Sequence, residues 1–436
     1  MRATIGVMRA AAAALALGLL LVAAGCGNSS AATRSSSGTD AASLVPASAL
    51  AYVSADANLD SQSWQVVTDL FGPIVGTDAD YSRDIKPALG DRVNLAVLGV
   101  EDGKPEAVAI VKPTDVAKLE ALAKKFDQGT EHYTVENIGG WSVVADSAAA
   151  FQSVRDANTG SSLADNADFK NAMSQVGDSS FATAYASSSG VEQLPAKLRA
   201  LVGVAGSPRW VAAGITADKS ALHVDVRAAG ASSPATYRPT LLDDVPSGAI
   251  LAVSFKDVNQ LLARIQAEPT LRAALPPFLT GLKSVGGEGV LYLLPGTLLP
   301  VITLEVRAPD PAAAAKSLRA LAAQAAKVLP LRVERHGKYV LLTNAAAGTS
   351  PANRSLMEDQ PVKDAFAAAD VPAKVTWLAY ADIQRLAPIL QALAALTGNG
   401  QSKPSAGAKL EKFGTLVAFG ARSGSTSRVE VHLTTR

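Results

Sequence analysis

The segment Val45-Pro46-Ala47-Ser48-Ala49-Leu50-Ala51-Tyr52-Val53-Ser54 returns 200 residues later as Val245-Pro246-Ser247-Gly248-Ala249-Ile250-Leu251-Ala252-Val253-Ser254. Four more matches follow in the same order. Val135-Glu136 with Gly139 answers to Val333-Glu334 with Gly337, and Ser162-Leu163 with Lys170 answers to Ser355-Leu356 with Lys363. Ala184-Tyr185-Ala186 answers to Ala379-Tyr380-Ala381, and Val211-Ala212 with Gly214 to Val417-Ala418 with Gly420. The offset drifts only between 193 (Ser162 to Ser355) and 206 (Val211 to Val417), and the order never changes. One match would be coincidence, but five collinear matches predict an internally duplicated body. Its halves are expected near 44–231 and 243–436, with the Pro-containing stretch 232–242 as linker.

Each half follows one script. A Pro-led strand (Ala49–Ala55, Ala249–Phe255) runs into a helix opening near Asp60 or Asp257. A hairpin follows: Val93–Glu101 and Glu106–Lys112 around Asp102-Gly103, a strong hairpin turn, or Gly289–Leu294 and Pro300–Arg307. Next comes an amphipathic helix capped at Thr114 or Asp310. In the second half Pro311 stands at the first helical position, where its missing N–H costs nothing, and Leu318, Leu321, Ala325 and Val328 share one face. A second hairpin (Tyr133–Val144, Leu331–Thr343) turns at Gly139-Gly140 or His336-Gly337. A short helix, a strand (Phe181–Ala186, Thr376–Ala381), another helix and a terminal hairpin complete each half. Hairpins pair antiparallel and helices need an apolar face to bury on. The expected fold class is therefore α+β, with two related antiparallel-rich sheets and helices packed on one side.

The first 25 residues are of a different kind. Arg2 and Arg9 flank a short basic region, and Ala10–Ala24 is an unbroken apolar run. That run is shorter than the ~20 residues a membrane-spanning helix needs, and the pattern is that of a secretory signal. It ends in Leu21-Val22-Ala23-Ala24-Gly25-Cys26, which resembles the lipobox of bacterial lipoproteins, with Ala23 at the position where that motif usually has Leu. Cys26 is the single cysteine of 436 residues, so no intramolecular disulfide can form. The resemblance implies cleavage between Gly25 and Cys26 and attachment of diacylglycerol to the Cys26 sulfur, with acylation (for example palmitate) of the new amine as a second signal. One acyl chain anchors weakly and two hold stably. Residues 26–43, rich in Ser, Ala, Gly and Thr, read as a flexible tether.

Removing Arg2 and Arg9 leaves 38 basic against 39 acidic residues. A near-neutral chain without basic runs excludes nucleic acid as a partner and gives no polybasic patch for anionic lipid. The membrane, reached through Cys26, and an envelope protein or lipid are the partners the sequence leaves.

The search for chemistry is short. There is no Gly-x-Ser-x-Gly elbow and no Ser-x-x-Lys opening a helix; the serine runs Ser35–Ser37 and Ser187–Ser189 read as loop. His132, His223, His336 and His432 form no His-Glu-x-x-His or His-x-His pair. Asp78 and Asp80 resemble the start of a calcium loop, but Arg83 stands where the turn needs Gly. Gly99 to Pro105 lacks the P-loop spacing, and Gly286-Gly287-Glu288-Gly289 precedes a strand, not a helix. Trp64, Trp141, Trp210 and Trp377 are scattered one per element, which suits packing better than a stacking platform. No catalytic, cofactor-binding or metal-binding residue is assigned, and no cofactor. The Ala-rich helices Ala312–Val328 and Leu386–Leu396 allow close packing or a groove.

The Val-Pro-x-x-Ala-x-x-x-Val-Ser opening and the repeated hairpin–helix order resemble an uncharacterised family of bacterial envelope proteins, known only as a domain of unknown function. That resemblance implies no activity. The expectation is a lipid-anchored, extracytoplasmic envelope protein that binds a partner or plays a structural role without catalysis. A carrier of a lipid or other hydrophobic ligand, and a hydrolase with a dispersed site, are the alternatives.

Overall fold

The computed structural model describes residues 40–71, 81–101, 104–125, 127, 132–176, 180–193, 208–230, 234–259, 285–296, 300–326, 330–346, 354–396 and 412–435. The signal segment 1–25, the lipidation site Cys26 with Gly25, the tether up to residue 39, Asp78 and Asp80, the turn Asp102-Gly103 and Val328 lie outside these residues.

The chain divides into two compact units, one essentially 28–232 and the other essentially 233–436. The first contains β1 (Ala51–Asp56), β2 (Arg92–Glu101), β3 (Lys104–Val111), β4 (Thr134–Ile138), β5 (Trp141–Ala145), β6 (Ala182–Ser187), β7 (Trp210–Ala217) and β8 (Ala221–Ala229). The second contains β9 (Leu251–Lys256), β10 (Glu288–Leu294), β11 (Val301–Arg307), β12 (Arg332–His336), β13 (Tyr339–Thr343), β14 (Trp377–Asp382), β15 (Phe413–Ser423) and β16 (Thr426–Thr435). The spatial order in the first unit is β8-β7-β6-β1-β2-β3-β5-β4, and in the second β16-β15-β14-β9-β10-β11-β13-β12. Within each unit neighbouring strands of this order pair antiparallel.

Helices cover both faces of the strands, not one. In the first unit, Tyr52, Ala96, Val108, Ile110 and Val143 pack with Phe151 and Val154 of the helix Ala148–Thr159 and Phe169 of the helix Ala167–Val176. Val111, one residue on from Ile110 and so on the other face, packs with Ala88 and Leu119 of two other helices. In the second unit Val290 and Tyr292 pack with Val362 and Ala365, while Leu304, Val306 and Leu342 meet Ala314, Leu318 and Leu321 of the helix Pro311–Ala325. The reason is visible in β3 and β10, which are apolar at successive positions; a strand apolar on both sides needs two covers.

Local chemistry explains the elements. Gly139 (φ 59°) and Gly140 (φ 78°) turn β4 into β5 with both central residues left-handed, which the tight hairpin turn requires. The Asp310 side chain accepts from Ala312 N and Ala313 N at 3.0 Å each, capping the helix that Pro311 opens. In the first unit the cap is Asp115, accepting from Lys118 N at 3.2 Å, one residue after the expected Thr114.

Two stretches read as connectors are in fact core. The 3-10 turn Ala41–Leu44 buries Ala41, Ala42 and Leu44, so the end of the expected tether belongs to the body. The 3-10 turn Thr240–Asp244 buries Leu241 and Leu242 within the expected linker 232–242. Both segments are short and lack periodicity, so their burial is set by the sheet beneath them, not by local pattern.

Candidate functional site

The residues singled out in the sequence are dispersed. His132 and His336 are exposed and lie beside Asp127 (3.3 Å) and Glu334 (3.4 Å). His223 is half-buried on β8 in the first unit, and His432 is buried on β16 in the second. Among the described residues no group of three or more His, Cys, Asp or Glu is placed to hold a metal ion, and no helix is long and apolar enough to cross a membrane. The tryptophans pack: Trp64 donates from Nε1 to Asp56 O (2.6 Å) and meets Phe181 edge to face at 5.2 Å. Lys112 Nζ sits 4.1 Å above the Trp141 ring, Trp210 is fully buried, and the Trp377 ring lies against Gly420, where a Cβ would stand 2.5 Å from Nε1. Ser187 caps the turn that follows β6, accepting from Gly190 N at 3.2 Å.

One group of ionisable side chains was not picked out by any motif. It lies on the face of β10 and β11 beneath the turn Thr240–Asp244. Glu288 opens β10 with 8 % of its surface exposed. Its carboxylate accepts from the backbone N–H of Leu241 (2.7 Å) and from the Thr240 hydroxyl (2.9 Å). The Arg307 guanidinium, directly across the β10–β11 pair, donates to Glu288 and to the Thr240 hydroxyl. The carboxylate thus clamps the turn to the sheet with charge-assisted bonds, the stronger kind. Just behind the clamp, Tyr237 and Ser254 share a hydrogen bond of 2.8 Å between their hydroxyls.

Glu305 shares this face, two residues from Arg307 on β11, and is 9 % exposed. Burial pushes its carboxyl up to about 7; the negative charge of Asp244 adds to the rise, while Arg307 and His336 oppose it. Asp244 is raised as well, by desolvation and by its neighbour Asp243. A carboxyl half-ionised near neutral pH can take up and release a proton. The residues directly across from it on the neighbouring strands, Val290 and Leu341, are apolar, so the register sets no nucleophile beside it. The arrangement fixes a turn beside a buried carboxyl.

One sequence signal could have pointed here. Glu288, Glu305 and Arg307 fall on inward positions of strands whose other inward residues are apolar or hydroxylic, and charges at such positions are rarely buried without a paired role. No protein-family model, curated protein or solved structure matches the chain.

Proposed function

We propose that this protein is a lipid-anchored component of a bacterial cell envelope, held to the extracytoplasmic side of the membrane through Cys26 and acting by binding a partner or as a structural element, without catalysis. The observation that carries the reading is the run Leu19 to Cys26: an apolar stretch ending in Ala-Ala-Gly before the chain's single cysteine. The body supports it in one respect. Among the described residues the first buried one, Ala41, follows Cys26 by fifteen positions, a length of chain that spans at most about 50 Å fully extended. Such a tether keeps the body near the bilayer surface. The test is Cys26→Ala followed by membrane fractionation. The reading expects an unprocessed precursor or a soluble chain; a processed Cys26→Ala chain still in the membrane fraction would refute it.

We also infer that the two units arose by duplication within the chain. Support comes from equivalent contacts at equivalent places. The two strand orders correspond term by term, β1 with β9 through β8 with β16. Pro46 bridges to Ser162 and Pro246 to Ser355. Leu163 N donates to Val45 O at 2.6 Å, and Leu356 N to Val245 O at 2.7 Å. Ser54 and Ser254 are both fully buried. Reading across the strands, one row runs Ala212, Tyr185, Tyr52, Ala96, Val108 in the first unit and Val417, Tyr380, Ala252, Tyr292, Thr303 in the second. The second tyrosine of the row has crossed to the neighbouring strand, and the alanine it faces has crossed the other way.

A further inference from the structure

We propose that the turn Thr240–Asp244 is a pH-responsive strap, seated on the sheet while Glu305 carries a proton and loosened once Glu305 and Asp244 are both ionised. The geometry supplies the parts. The strap packs on β9, β10 and the 3-10 turn Leu356–Glu358; Glu288 accepts from Leu241 N and the Thr240 hydroxyl, Arg307 donates to Glu288 and to that hydroxyl, and Ser355 Oγ donates to Leu242 O at 3.5 Å. Glu305 is the next ionisable group along β11 from Arg307 on that face. When Glu305 is neutral, Arg307 belongs to Glu288 and Thr240. When Glu305 is ionised, the face holds Glu288, Glu305 and Asp244 against the Arg307 guanidinium and the exposed Lys256 across from Glu288. Arg307 is then drawn toward Glu305, its bond to Thr240 weakens, and the repulsion between Glu305 and Asp244 acts directly on the strap.

The other groups around Glu305 do not remove this imbalance. From β10 the face receives Glu288 and Tyr292; from β9, the exposed Lys256 lies across from Glu288; from β13, Tyr339 lies across from Arg307. From β12 come Glu334, already shared by Arg332 (2.9 Å) and His336 (3.4 Å), and His336 itself, which is exposed. From the strap come Asp243 and Asp244. His336→Gln separates any contribution of this exposed imidazole from that of Glu305. The sign is fixed: Glu305 holds its proton more tightly folded than unfolded, so its contribution favours the seated state below about 4.5 and is lost as pH climbs through about 7. Loosening uncovers Leu241 and Leu242, which are 0 % and 2 % exposed when the strap is seated, and so presents an apolar edge at neutral and alkaline pH only.

Hydrogen exchange on the whole protein at pH 6 and pH 8, corrected for intrinsic rates, reads this directly at the amides of 240–245. The expected result is about tenfold or more faster corrected exchange at pH 8 in the native sequence, and a difference close to onefold in Glu305→Gln. Asp244→Asn should reduce the difference, and His336→Gln should leave it in place. Equal corrected exchange at the two pH values in the native sequence, a full pH response in Glu305→Gln, or its loss in His336→Gln would each overturn the proposal.

Discussion

Exchanging the tyrosine that differs between the two units tests whether they share one packing plan. Tyr52 is 1 % exposed, meets Phe169 edge to face at 5.6 Å and donates from its hydroxyl to Asn94 Oδ1 at 2.8 Å; Asn94 in turn donates to Ile110 O at 3.0 Å. Truncating a side chain of this size in a close-packed core costs about 3–5 kcal/mol through lost transfer energy and the cavity left behind. Removing only the hydroxyl, in Tyr52→Phe, leaves Asn94 Oδ1 without its donor and costs about 1–3 kcal/mol. In the second unit the ring sits on the adjacent strand as Tyr292, opposite Ala252, and the Asn94 position is Val290. The double variant Tyr52→Ala with Ala96→Tyr should therefore refill the cavity from across the pair and recover at least about 2 kcal/mol relative to Tyr52→Ala alone, since volume-conserving swaps are the best tolerated. Adding Asn94→Val should recover more, because the unpaired amide goes with it. Urea unfolding at fixed pH measures all four. A double variant no more stable than Tyr52→Ala would refute the equivalence of the two rows.

Asp310→Ala should cost about 1 kcal/mol in urea unfolding, because Ala312 N and Ala313 N both lose the acceptor that caps their helix; Asp310→Asn should lose much less. Gly287→Ala should cost clearly more than Gly248→Ala. Both glycines have positive φ, which alone costs about 1 kcal/mol, but a Cβ at 287 would stand 2.3 Å from Arg307 O and one at 248 meets nothing within 4 Å. Melting temperature should fall between pH 5 and pH 8 in the native sequence and fall less in Glu305→Gln, following the raised carboxyl; an identical slope in both would show that Glu305 is ordinary.

The strands were legible because each hairpin carries its own short-range signals. Gly139-Gly140 names a tight turn, and Pro311 beside Asp310 names a helix start, with no help from the rest of the chain. What escaped the sequence is what depends on register. Glu288, Arg307 and Thr240 meet only because β10 pairs with β11 at one offset and a turn 47 residues upstream folds over them; no local spacing encodes that. The double-faced covering was written in β3 and β10, which are apolar at successive positions, but the hairpin signals that located the strands do not say how many faces the helices cover. The burial of Ala41 and Ala42 escaped because a Ser/Ala-rich segment gives the same composition to a tether and to a turn filling a gap over a sheet.

The central claim is the anchor, and the mass of the amino-terminal peptide of the processed protein, isolated from membranes of its own host, tests it most directly. The account predicts a chain beginning at Cys26 whose first residue carries the added mass of diacylglycerol. A mature chain beginning anywhere else, or beginning at an unmodified Cys26, would contradict it.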